Sequence, residues 1–236
     1  MNVLVIVAHP DDEVLGMGGT ILKHAIQGDT ITVVYMATGI TSRRGSKYQN
    51  VSSYEINKKL ELDMKNQIEE LRKDAENACD LLKVKKKIFF DFPDNEMDTV
   101  PLLKIVKTIE KLVKEIKPNR IYTSHYADLN IDHRIVFEAT LTACGPIGLP
   151  VKEIICFEIL SSTESAFPYE FKPNYFTNIK GELDKKIKAM KAYKNEIREF
   201  PHPRSVENIK NSARKWGTVS GFYAAEAFEV IRKIVK

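Results

Sequence analysis

The chain is poor in cysteine, in long apolar runs and in net charge. Its three cysteines among 236 residues, Cys79, Cys144 and Cys156, lie far apart with no CxxC pair. A dispersed, odd set of this kind excludes a disulfide framework and points to reduced, mostly buried thiols in a cytoplasmic setting. No stretch approaches the roughly 20 apolar residues that a membrane span requires. The formal charge of +4 is small, and lysines are spread over helical stretches such as KIKAMKAYK. Such faces are solvated, and they argue against a nucleic-acid partner. There is no internal repeat, low-complexity tract or linker, so one domain over residues 1–236 is expected.

What is present is a composition, 43% hydrophobic and 29% charged, able to bury a real core. Short β-rich runs at Val3–Ala8, Thr30–Ala37, Lys87–Phe92, Arg120–Ser124 and Glu153–Ile159 alternate with helical patterns. These patterns fall at Gly18–Gln27, Glu61–Leu82, Val100–Ile116 and His133–Ala143. Strand–helix alternation predicts an α/β fold with a mostly parallel sheet covered on both faces. Segment 161–179, SSTESAFPYEFKPNYFTNI, has room for an extra strand, and helices are predicted at 181–198, 205–215 and 222–235. The polar stretch 38–57, TGITSRRGSKYQNVSSYEIN, has the length of a lid or binding loop.

The first strand delivers the chain into His9, Pro10, Asp11, Asp12 and Glu13. Carboxylates stacked so closely repel one another, and a cation relieves that repulsion. Pro10 stiffens the turn, and His9 and Asp12 can converge on one ion, leaving Asp11 toward the substrate side. A second strand end, in IYTSHYADLNIDHRIV, carries Asp132 and His133. His9, Asp12 and His133 make a His2Asp set with an open position, which suits zinc and also fits ferrous iron or another divalent ion. Gly16, Gly18 and Gly19 suggest a dinucleotide turn, but a pyrophosphate needs bare amides where this chain has acids. His24, alone within the first helix, reads as a packed residue.

AHPDDE near the start and IDHRIV beyond the middle resemble motifs of the PIG-L/LmbE-like metal-dependent N-deacetylases. The resemblance extends through TGITSRRG, LRKDAENACDLL, FPDNEMDTVPLL, PHPRSVE and YAAEAF, nearly the whole chain. It implies a Rossmann-like three-layer αβα sandwich and a zinc-dependent hydrolase that releases acetate from an N-acetylglucosamine-type sugar. On that likeness His9, Asp12 and His133 match the metal ligands, and Asp11 matches the general base that takes a proton from metal-activated water. Arg43 and Arg72 fall where the family places substrate contacts.

One position departs from the pattern. Relatives often carry a histidine that holds the oxyanion where this chain has Asn130. An amide donates a hydrogen bond but delivers no proton. His202, between two prolines in FPHPRS, is the first candidate for the missing acid, and His125 is the second. The alternatives from other classes are an amidase for a larger or non-sugar acyl group, and a non-catalytic metal- or sugar-binding module. The expected partner is a small amino-sugar conjugate. Arg43, Arg44, Lys47 and Arg204 are compatible with a phosphate on it, and self-association is common among small enzymes of this kind.

Overall fold

The computed structural model describes residues 1–43, 58–148 and 150–235. Seven strands form one sheet: β1 (Asn2–Val7), β2 (Thr30–Ala37), β3 (Lys86–Phe92), β4 (Arg120–Ser124), β5 (Glu153–Phe157), β6 (Tyr175–Asn178) and β7 (Ala225–Lys233). Their order is β3-β2-β1-β4-β5-β7-β6. β1 to β5 run parallel, and β7 pairs antiparallel with both β5 and β6. The helices are α1 (Asp12–Ile26), α2 (Lys58–Leu81), α3 (Leu102–Ile116), α4 (Ile131–Ala143), α5 (Leu183–Ala192) and α6 (Val206–Ser220).

β1 shows why its apolar run lacks alternation. Val3, Val5 and Val7 pack against residues of α1, α2 and α5, whereas Leu4, Ile6 and Ala8 pack against α3 and α4. Successive side chains point to opposite faces, and here both faces are covered. The fold is therefore an α/β sheet with helices on both sides. The three cysteines are buried and unpaired. Among the described residues, no helix is long and apolar enough to cross a membrane.

Two expectations for the helices are corrected. The first helix begins at Asp12 rather than Gly18, so the acidic turn is itself the opening of α1. The helix predicted over 222–235 is strand β7. Alanine and glutamate favour helix there, but tertiary packing overrides that preference. Phe228 and Val230 face the core shared with α1, while Ala225 and Ala227 face Trp216 of α6.

α1 is broken at Met17, whose backbone (φ −147°, ψ 23°) is non-helical. Two buried side chains close the break. Lys186 of α5 donates to the Leu15 carbonyl at 2.9 Å, and Glu226 of β7 accepts from the Gly19 and Thr20 amides at 2.9 and 2.7 Å. The two are also paired with each other at 2.7 Å. Each buried charge thus has a counter-charge and backbone partners, the condition under which burial of charge is tolerated.

Gly16 and Gly19 are explained by close packing. A Cβ on Gly16 would lie 2.1 Å from Phe157 Cδ2 and 3.0 Å from the Glu158 carbonyl, and one on Gly19 would lie 2.7 Å from Ile179 Cγ2. Gly16→Ala is expected to lower stability by about 1–3 kcal/mol through overpacking. The shift is read as an earlier midpoint in urea denaturation with an unchanged m-value.

Candidate active site

β1 lies between β2 and β4, where the order of the sheet reverses, and ligands in open α/β folds bind beyond the strand ends at such points. The turn after β1 places His9, Asp11 and Asp12 there. The loop after β3 brings Asp94 and Asn95, and the turn after β4 brings Asp128, Asn130, Asp132 and His133. The loop after β5 adds Ser161, and the loop between α5 and α6 adds Glu196 and Arg204. Together they bound a polar cleft of about 410 Å3 that is lined by His9, Asp11, Ser42, Asn130, His202 and Arg204, among others.

The two histidines are oriented by carboxylates. His9 Nε2 stands 3.0 Å from both Asp94 Oδ1 and Asp132 Oδ2, and His133 Nδ1 stands 3.0 Å from Asp128 Oδ1. In the neutral rings those nitrogens carry the hydrogens. The other ring nitrogens, His9 Nδ1 and His133 Nε2, then face one another at 3.2 Å, with Asp12 Oδ2 at 3.6 and 3.2 Å from them. Three such atoms near one place leave a gap of the size a cation needs. Ligands about 2.0–2.1 Å from a tetrahedral ion stand roughly 3.3 Å apart, so the spacing fits. Carboxylates behind metal-binding histidines fix the tautomer in the same way.

A second group, His9, Asp94 and Asp132, is also close enough to share an ion. Its carboxylates are already engaged, however. Asp132 accepts from the Asn95 and Met97 amides at 2.6 and 3.0 Å, and Asp94 accepts from the Ser42 amide and hydroxyl at 3.0 and 2.7 Å. This group is the support of His9.

The electrostatics agree. Burial opposes charge on His133, but Asp12 and Asp128 raise its pKa to about 9, and the same competition raises that of His9 well above its ordinary value. Burial likewise opposes charge on Asp12, yet the two imidazoles hold its carboxyl far below the usual range. Asp11 sits beside Asp12 at φ 106° and is 2% exposed. Burial pushes its pKa up to about 7 against the pull of Arg204. Among the described residues its Oδ2 has no hydrogen-bond partner.

The remaining candidates are placed as follows. Asn130 caps α4, accepting from the Asp132 amide at 2.8 Å and donating to Asn95 Oδ1 at 2.7 Å, on the rim of the cleft. His202 also lines the cleft, and its Nδ1 accepts from the Arg204 amide at 3.1 Å. His125 is not brought to the cleft: its Nε2 faces Glu229 at 3.2 Å, because its side chain turns toward β7. Arg72 is not there either. It lies over Phe89 and pairs with Asp91 at 2.5 Å, since its face of α2 covers β3. Arg43 ends a short helical turn, Thr41–Arg43, and its side chain lies outside the described residues, as do Arg44 and Lys47. His24 is packed between Asp29 and Tyr122.

Sequence reasoning missed Asp94 and Asp128 as partners of the histidines, and the contact of Arg204 with Asp11. The rule that a ligating histidine needs an acid behind it was the available signal, with Asp128 five residues before His133.

The chain resembles known proteins across its length. An uncharacterized deacetylase of Escherichia coli K12 is 28% identical over 202 residues, covering 82% of this chain and 91% of that one. The diacetylchitobiose deacetylase of Thermococcus kodakarensis is 27% identical, covering 98% of this chain and 83% of that one. The crystal structure of the 4-carboxy-2-hydroxymuconate hydratase of Pseudomonas putida superposes with a TM-score of 0.73 at 20% identity, covering 100% of this chain and 98% of that one. The fold is thus shared by proteins of different chemistry. Residues 4–144 match the family described as PIG-L, GlcNAc-PI de-N-acetylase, and with more than half of its length matched the chain belongs to that family.

Proposed function

We propose that this chain is a metal-dependent N-deacetylase, one catalytic domain that hydrolyses the acetamide of an N-acetylglucosamine-type sugar or sugar conjugate. The observation that carries this reading is the meeting of His9 Nδ1, His133 Nε2 and Asp12 Oδ2 beside a buried carboxylate, Asp11, that takes no part in that meeting. The deacetylases of E. coli and T. kodakarensis support the reaction class, and the family description supports the sugar. The buried free thiols support a cytoplasmic setting.

His9, Asp12 and His133 would hold the ion, and the set suits zinc, with ferrous iron the nearest rival. When bound, the ion supplies Lewis acidity, acidifying a water and polarising an amide carbonyl. Asp11 takes the proton from the attacking water, and its place in the lining of the cleft supports this role. The water oxygen bonds to the acetamide carbon, the carbon–nitrogen bond breaks, and Asp11 returns the proton to the departing amine. Asn130 stands on the rim as an amide donor in place of the usual histidine. Burial, then Arg204 and Arg198, lowers the pKa of His202, so near neutral pH it offers Nε2–H as a donor to the leaving nitrogen.

Two measurements test this. Acetate release from N-acetylglucosamine, diacetylchitobiose and phosphorylated N-acetylglucosamine conjugates is expected, lost on chelation and restored by added zinc. Butanoyl analogues test the amidase alternative. Metal-replete protein that releases no acetate from any amino sugar overturns the proposal. His202→Ala is expected to lower kcat roughly tenfold, about the worth of one hydrogen bond, with metal content unchanged. An unchanged kcat removes His202 from the reaction.

A further inference from the structure

The PHPRS segment contributes more than His202. Its backbone is pinned on both sides of Arg204: the Arg204 amide donates to His202 Nδ1 at 3.1 Å, and the Ser205 amide donates to the His202 carbonyl at 3.0 Å. Ser205 then caps α6, its hydroxyl accepting from the Asn208 amide at 3.0 Å. The two prolines add rigidity. A loop built this way presents one side chain in a fixed direction.

The Arg204 guanidinium is held as firmly. Nε donates to Ser161 Oγ at 3.0 Å and Nη1 donates to Glu196 Oε2 at 2.6 Å. The same Nη1 stands 3.0 Å from Asp11 Oδ2. Among the described residues, Arg204 is the one lysine or arginine paired with Asp11. The contact lacks hydrogen-bond geometry, since among the described residues Asp11 Oδ2 has no hydrogen-bond partner. The anchored guanidinium therefore stands against Asp11 Oδ2 from a fixed direction.

Resting on the reading of Asp11 as the general base, we propose that Arg204, oriented by Glu196 and Ser161, is the residue that positions Asp11. Arginine suits the task because it does not release its proton in proteins and cannot compete for the one being moved. Its planar fork spans Ser161 and Glu196 together, which a lysine point charge does not reproduce. The proposal also accounts for the basic residue in PHPRS, which the metal ligands leave unexplained.

The test uses the full-length, metal-loaded protein and the amino sugar that the parent deacetylates. Arg204→Ala is expected to lower kcat about a hundredfold, the lower end of what a placed general base contributes. KM should change by less than about threefold, and metal content should match the parent. Guanidinium at millimolar concentration should restore part of the lost turnover, and Arg204→Lys should fall between the two. Glu196→Gln, which keeps the arginine but loosens its anchor, should give a smaller loss of kcat. An unchanged kcat in Arg204→Ala overturns the proposal. So does a loss without guanidinium rescue that follows a fall in Tm and in bound metal, because that pattern describes only a structural arginine. Should the parent release no acetate, the deacetylase reading fails on its own. The Asp11 side-chain carboxyl 13C resonance then decides for Arg204: a shift in Arg204→Ala supports the contact, and an unmoved resonance refutes it.

Discussion

Asp11→Asn is expected to retain the bound metal and to cut acetate release between about a hundred- and ten-thousandfold, the range over which a placed general base acts. The substitution keeps size and removes only the capacity to accept a proton. Asp11 touches neither His9 Nδ1 nor His133 Nε2, whose partner is Asp12, so the ion should stay. The left-handed backbone at φ 106° also tolerates asparagine better than most residues, which protects the fold. Elemental analysis alongside kcat separates the two effects. Equal, measurable turnover in variant and parent would remove Asp11 from the chemistry, and no turnover in either would favour a binding module.

The second large effect is expected from Asp12→Ala. This carboxylate faces both imidazoles and also accepts from the His9 amide at 2.8 Å, so its loss removes a ligand, a charge and a turn contact together. Bound metal should fall to background after dialysis, and activity should fall with it. Asp128→Asn provides the graded comparison. It keeps an acceptor for His133 Nδ1 but lowers its charge, and outer partners of metal-binding histidines are worth about 10- to 100-fold in affinity. Full metal retention in Asp12→Ala would place the ion elsewhere.

How much was legible in the chain depended on how local each signal was. The apolar run of β1 and the acids that follow it are adjacent in sequence, so strand, turn and charge conflict are read together. The IDHRIV turn is equally local. Asp94 and Arg204 were harder because they arrive from loops after β3 and before α6, and only the order of the sheet brings them to His9 and Asp11. Arg72 shows the reverse problem: helix periodicity places it on α2 but does not say that its face covers β3. At β7, alanine and glutamate favour a helix over 222–235, whereas burial between α1 and Trp216 demands an extended chain.

The closure of the α1 interruption by Lys186 and Glu226 divides the labour between the two halves of the sequence. Every proposed ligand and the carboxylates behind the two histidines lie before residue 144, within the stretch matched by the family, but Lys186, Glu226 and Arg204 come from after it. A fragment stopping at α4 would keep both histidines and Asp12. It would forfeit the carboxylate that bridges the helix and the arginine that faces Asp11. Such a truncated piece keeps the candidate ligands and loses groups that the proposed chemistry uses, so metal uptake alone does not report a competent enzyme when this scaffold is shortened, split or transplanted.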